Sequence, residues 1–382
     1  MAWDEQFFIQ PRLTSKLKHL VLRAYMKEFA YHLGSVRPVV YYVDGFAGAG
    51  AYGHDTRTED GSPLLIARLA QEISTYSRPI DLRCLNVESD LKRFRSLEEA
   101  TEPFRPGIVE KNYHGSFAEL IPEILSRIGS APTFFFIDPF GTKDIAFADL
   151  LPIFNRERRT EVLITLHTDG IAKKAGYFAR EDATARKLTA HLAAALGVSL
   201  ERLRQVWSET GKLKDTTQFE NRALAYYLRR LRSNATRFAF TKAFKVLYYR
   251  RDTFAEPPVC FHLVFATQHQ EGLFEMNDVM VEALDTFYRD VYGGSFIPTF
   301  EAERKRQEDP TAVRREMEAD FSGTPFTVNE LKCHCMQQTD YLLKSGEYTK
   351  IVRDMVRSGA LQKLDSGPLS NSKTRYRIVN RS

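Results

Sequence analysis

The 382-residue chain reads as an α/β fold, an open and mostly parallel sheet with helices on both faces, followed by a small basic module. Three features carry this reading. Solidly apolar runs of strand length, such as Val39-Val40-Tyr41-Tyr42-Val43 and Thr133-Phe134-Phe135-Phe136-Ile137, alternate with stretches of helical periodicity; strands covered on both faces have no polar side to show. These runs end in acidic or glycine-rich turns, and open parallel sheets bind ligands at the carboxyl ends of their strands. The formal charge of +5 (54 Lys and Arg against 49 Asp and Glu) resides in residues 321–382, which hold ten basic and five acidic side chains.

The elements follow in order. Leu13, Leu17, Leu20, Leu22, Tyr25 and Phe29 lie near helical spacing and predict a first helix over 13–33. Beyond Pro38, the strand 39–43 ends in Asp44 and enters the turn Gly45-Phe46-Ala47-Gly48-Ala49-Gly50. Ser62-Pro63 marks a helix start, Ser at the cap and Pro in the first turn. A strand over 80–87 ends in Glu88, a helix follows near 90–100, and a short strand lies around Ile108-Val109. After a helix over 117–127, the strand 133–137 ends in Asp138-Pro139-Phe140-Gly141, and 161–166 forms a further strand. A helical insertion of about 170–235, with helices over 183–196, 200–207 and 219–231, suits substrate recognition; strands over 243–249 and 259–267, parted by Pro257-Pro258, complete the sheet. Residues 1–300 thus make the main domain and 301–320 a charged linker or exposed helix. In 321–382, helices over 327–336 and 348–358, a stop at Gly359, and strands over 360–364 and 375–379 around Ser366-Gly367-Pro368 give the order of a winged-helix-like domain.

A hydrophobic content of 43% fits a soluble protein with a real core. No apolar run approaches the ~20 residues that span a bilayer, and Met1-Ala2-Trp3-Asp4-Glu5 lacks the basic start of a secretion leader. Four scattered cysteines make no disulfide framework, so a cytoplasmic location is expected. Cys333-His334-Cys335 has no second ligand pair nearby and adjacent helical positions diverge, so no metal is expected.

Three sites carry chemistry. The turn after Asp44 orders its glycines Gly-x-x-Gly-x-Gly, which matches neither the dinucleotide fingerprint nor a P-loop and argues against other adenosine cofactors. An acid ahead of the glycines suits a ligand bearing an ammonium group, as S-adenosylmethionine (SAM) does; a plain tight turn is the alternative. Glu88, ending the next strand, is placed to accept bonds from ribose hydroxyls, or to cap in solvent. Asp138 and the Pro139 carbonyl are placed to accept the two hydrogens of an exocyclic amine while Phe140 stacks on its base, and positioning supplies most of the rate for such a transfer. The competing reading is a helix cap and turn.

The segments Val43-Asp44-Gly45-Phe46-Ala47-Gly48-Ala49-Gly50, Ser62-Pro63-Leu64, Glu88, Phe136-Ile137-Asp138-Pro139-Phe140-Gly141 and Phe265-Ala266-Thr267 with Met276-Asn277-Asp278 resemble the three-Cys-motif partner family over most of residues 1–290. The resemblance implies a Rossmann-like class I methyltransferase sheet, SAM as cofactor, and a three-Cys-motif protein as partner. The N-terminal half is also similar to bacterial ribosomal RNA adenine-N6 methyltransferases, which implies that Lys18 and His19 reach the methionine end of SAM, Asp44 its ammonium, Glu88 the ribose and Asp138 the target amine. Their Asp-Pro-Pro-aromatic motif is one proline longer than the motif at 138–140, and the loss shifts the stacking plane of Phe140. Gly45, Phe46, Gly48 and Gly50 would line the cofactor, with Ser116 and Phe117 beside its adenine. Of His167, Thr168 and Asp169, which follow the next strand, one would face substrate.

Residues 222–251 hold nine basic side chains and no acid, interleaved with aromatics. Cations hold phosphates while exposed aromatics stack on unpaired bases, so Arg229, Arg230, Arg232 and Arg237, together with Lys373, Arg375 and Arg377 at the end of the chain, are the candidate nucleic-acid contacts, RNA favoured over DNA. A solvated cationic face over core aromatics is the plainer alternative.

Overall fold

The structure, a computed structural model, describes residues 13–34, 39–52, 59–141, 143–167, 171, 174–210, 216–233, 236–247, 259–292, 296–366, 368 and 373–379. Of the residues singled out above, 1–5, Pro38, Thr168, Asp169, Pro257, Pro258 and Gly367 lie outside the described residues, as does the end of the basic stretch, 248–251. The chain divides into two compact units, Met1–Arg250 with Phe254–Gln268, and Arg251–Thr253 with His269–Ser382.

The first unit opens with α1 (Leu13–Gly34), β1 (Val40–Asp44), the short strands β2 (Ala51–Tyr52) and β3 (Glu59–Asp60), and α2 (Ser62–Ser74). It continues through β4 (Leu82–Glu88), α3 (Leu91–Thr101), β5 (Val109–His114), α4 (Phe117–Ile128), β6 (Thr133–Ile137), α5 (Phe147–Phe154) and β7 (Thr160–Leu166). Three helices, α6 (Ala183–Leu196), α7 (Leu200–Glu209) and α8 (Thr216–Leu231), precede β8 (Phe240–Leu247) and β9 (Val259–Thr267). Among the described residues, seven strands form the main sheet in the order β5-β4-β1-β6-β7-β9-β8. β5, β4, β1, β6 and β7 pair in parallel, and β9 runs antiparallel to both of its neighbours. This is the class I methyltransferase order: the chain winds outward from β1 to β5, returns to β6 and winds the other way. The reversal between β1 and β6 leaves a crevice at their carboxyl ends, where such sheets bind ligands.

β1, β6 and β7 are buried at every residue, which accounts for their unbroken apolar character. The helical insertion is part of this core: Leu192, Leu196, Leu203, Phe219 and Tyr227 are buried in one cluster with Ile164 and Val264. α5 was not foreseen, because Phe-Ala-Asp-Leu-Leu-Pro-Ile-Phe is nearly all apolar, starts without a capping side chain and contains Pro152.

One buried carboxylate ties α1 to the sheet. Glu161 of β7 is 1% exposed. It accepts from the Tyr25 hydroxyl at 2.6 Å and the Thr267 hydroxyl at 3.0 Å, and Arg159 stands 3.8 Å away. The Tyr25 ring packs against Phe134 and Phe265, with centroids 5.5 and 5.3 Å apart.

The second unit holds α9 (Gln270–Tyr292), α10 (Phe296–Asp320), β10 (Phe326–Thr327), α11 (Val328–Gln338), α12 (Ser345–Arg357), β11 (Leu361–Lys363) and β12 (Arg375–Ile378). Its main segment begins at His269, well before the boundary expected at 300. The stretch 301–320, read as a charged linker or exposed helix, makes up the last 20 of the 25 residues of α10, whose buried side chains include Val313 and Met317. The closing helices and strands lie near their predicted positions, with β10 added to make a three-stranded sheet of order β10-β12-β11. Asn277 donates to the Leu343 carbonyl at 2.7 Å and Asp278 accepts from the Ser345 amide at 2.7 Å, so Met276-Asn277-Asp278 serves the packing of α12. No helix among the described residues is long and apolar enough to cross a membrane.

Replacing Tyr25 by Phe takes one donor from the buried Glu161. Stability should fall by about 1–3 kcal/mol, read in urea as a lower midpoint with an unchanged slope.

Candidate active site

The turn after β1 is built around a carboxylate without access to water. Asp44 is 0% exposed and accepts from the Phe46 amide at 3.1 Å, the Tyr42 hydroxyl at 3.0 Å and the Ser62 hydroxyl. Burial pushes its pKa up to about 6; the three donors pull it back only in part, because none carries a charge. Ser62, expected to cap α2, is instead the first residue of that helix, behind the cap at Gly61, and its hydroxyl serves Asp44. Gly48 and Gly50 take φ of 64° and 83°, where a Cβ is disfavoured. A Cβ on Gly45 would stand 3.0 Å from the Phe117 ring, and Phe46 packs on that ring at 5.9 Å. Phe117 therefore buttresses the turn from below. Ser116 is the half-buried cap residue of α4, with no capping bond from its side chain.

Glu88 ends β4 and is 3% exposed. Its Oε1 accepts from the Asp90 amide at 2.7 Å and meets Arg93 Nη2 at 3.1 Å, while Oε2 has no hydrogen-bond partner among the described residues. Asp138, at the end of β6, pairs with Lys18 of α1 at 2.5 Å, the two side chains 21% and 11% exposed. Burial acts to raise the Asp138 pKa, but the Lys18 charge and hydrogen bond, with His167 and the Thr165 hydroxyl, outweigh it and hold the carboxyl below its usual range. The Lys18 ammonium also lies 5.6 Å from the Phe261 ring centre.

The Pro139 carbonyl accepts from His167 Nε2 at 3.0 Å. A carbonyl has no proton to give, so the imidazole carries one on Nε2. Phe140 is 49% exposed, with the Arg93 guanidinium 5.2 Å from its centroid. His19 is half-buried, its ring 5.9 Å from that of Tyr52. Burial and the Lys18 charge push its pKa down to about 4, so it is neutral at pH 7. Burial and the Asp138 charge push the Tyr52 phenol up to about 12. A small hollow of about 30 Å³ behind Pro139, lined by Thr165, His167, Ala195 and Tyr227, brings the helical insertion against this motif.

The structure thus brings Lys18, Asp44, Glu88, Asp138, Pro139 and Phe140 to one edge of the sheet. Sequence reading missed Arg93, Phe261 and the pairing of Lys18 with Asp138. Arg93 left a signal: Asp90 caps α3 through the Arg93 amide at 2.9 Å, which places that side chain one turn from Glu88.

The basic residues are more dispersed. Arg229 and Arg230 are exposed on α8, and Arg229 and Arg202 flank the Tyr226 ring at 4.4 and 4.9 Å. Arg232 is half-buried and loses basicity to burial and the neighbouring Arg229. Arg237 meets Glu157 at 3.0 Å and the Asn155 carbonyl, and Arg222 meets Glu209 at 2.7 Å, so acids from outside the stretch offset it. Tyr227, Phe238 and Phe244 are core. In the second unit Lys373, Arg375 and Arg377 are exposed at alternate positions, with Arg375 paired to Asp365 at 3.4 Å. Cys335 is buried and Cys333 half-buried. His334 turns to Asp320 at 3.0 Å, and with Glu316 these form a group whose potential ligand atoms lie within 4.8 Å of one another.

No family model matches the chain, and no curated protein matches it. Solved structures do. The O-methyltransferase TomG from Streptomyces achromogenes, in complex with SAM, matches at 13% identity over 69% of this chain and 82% of its own, with a TM-score of 0.33. Cofactor-bound Rv0187 from MTB matches at 11% identity over 68% and 91%, with a TM-score of 0.29.

The Lys18–Asp138 pair stabilises the folded chain above the ordinary carboxyl pKa of about 4, and the contribution is lost as the pH falls through the lower folded value. Lys18→Met should cost about 1–3 kcal/mol at pH 7, less than a fully buried pair because both partners touch solvent. The acid dependence should also weaken, since burial then acts against only His167 and the Thr165 hydroxyl. Urea unfolding at pH 3, 5 and 7 reads both effects.

Proposed function

We propose that the chain is a SAM-dependent methyltransferase that acts on an exocyclic base amine in nucleic acid, RNA in preference to DNA. One juxtaposition supports this above all. At the reversal of strand order stand a buried acid under a glycine turn, a second acid with an uncommitted oxygen, and an Asp-Pro-Phe motif whose ring is open to solvent. The donor set fits the cofactor: Glu88 Oε2 lacks a partner among the described residues and suits a ribose hydroxyl, and Asp44 supplies negative charge beneath the turn that an ammonium group would approach. When bound, SAM supplies a methyl group already activated by its sulfonium.

The chain's own residues then have to bind and orient. Asp138, held ionised by Lys18, accepts from one hydrogen of the amine, and the second lone pair of the Pro139 carbonyl accepts from the other. These two bonds turn the nitrogen lone pair outward, and the Asp138 carboxylate is able to take the proton that the methylated nitrogen sheds. Phe140 supplies a stacking face for a base turned out of its helix. Arg229, Arg230, Arg377 and Lys373 are exposed cations for phosphates.

A second reading has its own observation. Both acceptors of the motif already have partners within the chain, Lys18 on Asp138 and His167 on Pro139. That suits a non-catalytic member of the fold working in a complex with a three-Cys-motif protein.

Calorimetry with SAM separates the readings. Heat is expected at pH 7.5, with affinity falling below pH 6 as Asp44 takes up a proton and loses the charge that faces the ammonium. Asp44→Ala should weaken binding about tenfold or more, the loss of one charge contact of ~1.4 kcal/mol. Absence of heat from the wild-type chain overturns the enzyme reading. Given binding, labelled SAM incubated with total RNA, DNA and protein identifies the substrate class. Asp138→Ala should abolish transfer while leaving SAM affinity within about threefold, below the energy of one ordinary hydrogen bond. Arg377→Ala should weaken RNA binding and lower its salt dependence by about one phosphate contact.

A further inference from the structure

Arg93 belongs to neither half of the proposed site, yet touches both. It stands in the first turn of α3, its amide fixed to the Asp90 side chain at 2.9 Å. From there Nη2 reaches Glu88 Oε1 at 3.1 Å, and the guanidinium carbon lies 5.2 Å from the centre of the Phe140 ring. The side chain is 23% exposed. One planar cation therefore connects the end of β4, where a ribose would be held, with the end of β6, where a base would stack.

We propose that Arg93 is a positioning residue that couples cofactor occupancy at Glu88 to the setting of Phe140, so that the stacking platform is completed after the cofactor is in place. The inference rests on the methyltransferase reading above. Glu88 is nearly enclosed, and a carboxylate taken from water holds a cation strongly. Hydroxyls donating to the same carboxylate spread its charge over neutral donors and loosen its hold on Arg93. The guanidinium is then freer to lie over Phe140, where its charge meets the negative face of the ring, and over a base stacked there. The same step read backward gives reciprocity: a base that draws Arg93 away leaves Glu88 more available to the ribose. A lysine does not reproduce this, because an ammonium has no plane to lay on a ring while it keeps a carboxylate.

The test uses the full chain with Phe140→Trp as a reporter, its emission taken against the chain that keeps Phe140 so that the native Trp3 and Trp207 subtract out. SAM is titrated with calorimetry and fluorescence in parallel, with Arg93 intact and with Arg93→Met, which keeps the apolar stem and removes the charge. The expected result is a shift of the reporter emission on SAM binding that disappears in Arg93→Met, with the SAM Kd of that variant within about fivefold of its parent, roughly one hydrogen bond. An equal emission shift with and without Arg93, or none with Arg93 intact while SAM binds, overturns the coupling and leaves the methyltransferase reading in place. Absence of SAM heat with Arg93 intact overturns that reading, and the coupling falls with it. Should Arg93→Met lose SAM heat, Arg93→Lys makes the same comparison with the cation retained.

Discussion

Three carboxylates leave the sheet at its carboxyl edge with little access to water, and the local structure is arranged around compensating them. Each is answered differently. Asp44 is met by neutral donors from Tyr42, Phe46 and Ser62, and its pKa stays high at about 6. Glu88 is met by a backbone amide and Arg93. Asp138 is met by the Lys18 ammonium, and its pKa is driven down. A buried anion facing a cation is held ionised, whereas one facing only dipoles remains poised to take up a proton. Asp44 and Asp138, at the ends of adjacent strands, are thereby set to opposite protonation tendencies.

That arrangement depends on α1. The helix supplies Lys18 to Asp138 and His19 to the ring of Tyr52, and it is fixed to the sheet by Tyr25 on the buried Glu161. A cation placed by a helix anchored about two turns away is held with little freedom, which favours a direct pair with Asp138 over one shared with solvent. The aromatic contacts of Tyr25 with Phe134 and Phe265 lie on β6 and β9, and β6 itself carries the site, so packing and electrostatics are joined at the same place.

Much of this was legible in the chain. Runs such as 133–137 and 259–267 announce buried strands by lacking any polar alternation, and both have the predicted bounds. Asp44, Glu88 and Asp138 were found because each follows such a run directly. What stayed hidden has a common cause. The partner of Asp138 is 120 residues away in sequence, the cations of 222–237 find Glu209 and Glu157 from other elements, and Ser62 turns from its cap to Asp44. α10 was hard to read because its charges mask the few buried residues that hold it, Val313 and Met317 among them.

By itself the sequence determined that the sheet is open and mostly parallel and where its acids fall, because strand burial is written in local composition and a strand's end is a local event. Only the tertiary structure decided what those acids are. Protonation follows from which donor or cation stands a few ångströms away, and Lys18 beside Asp138, Ser62 beside Asp44 and Arg93 between Glu88 and Phe140 are distances in space. The charge of +5 is likewise a property of composition, whereas its availability to a polyanion depends on which arginines the fold has already paired.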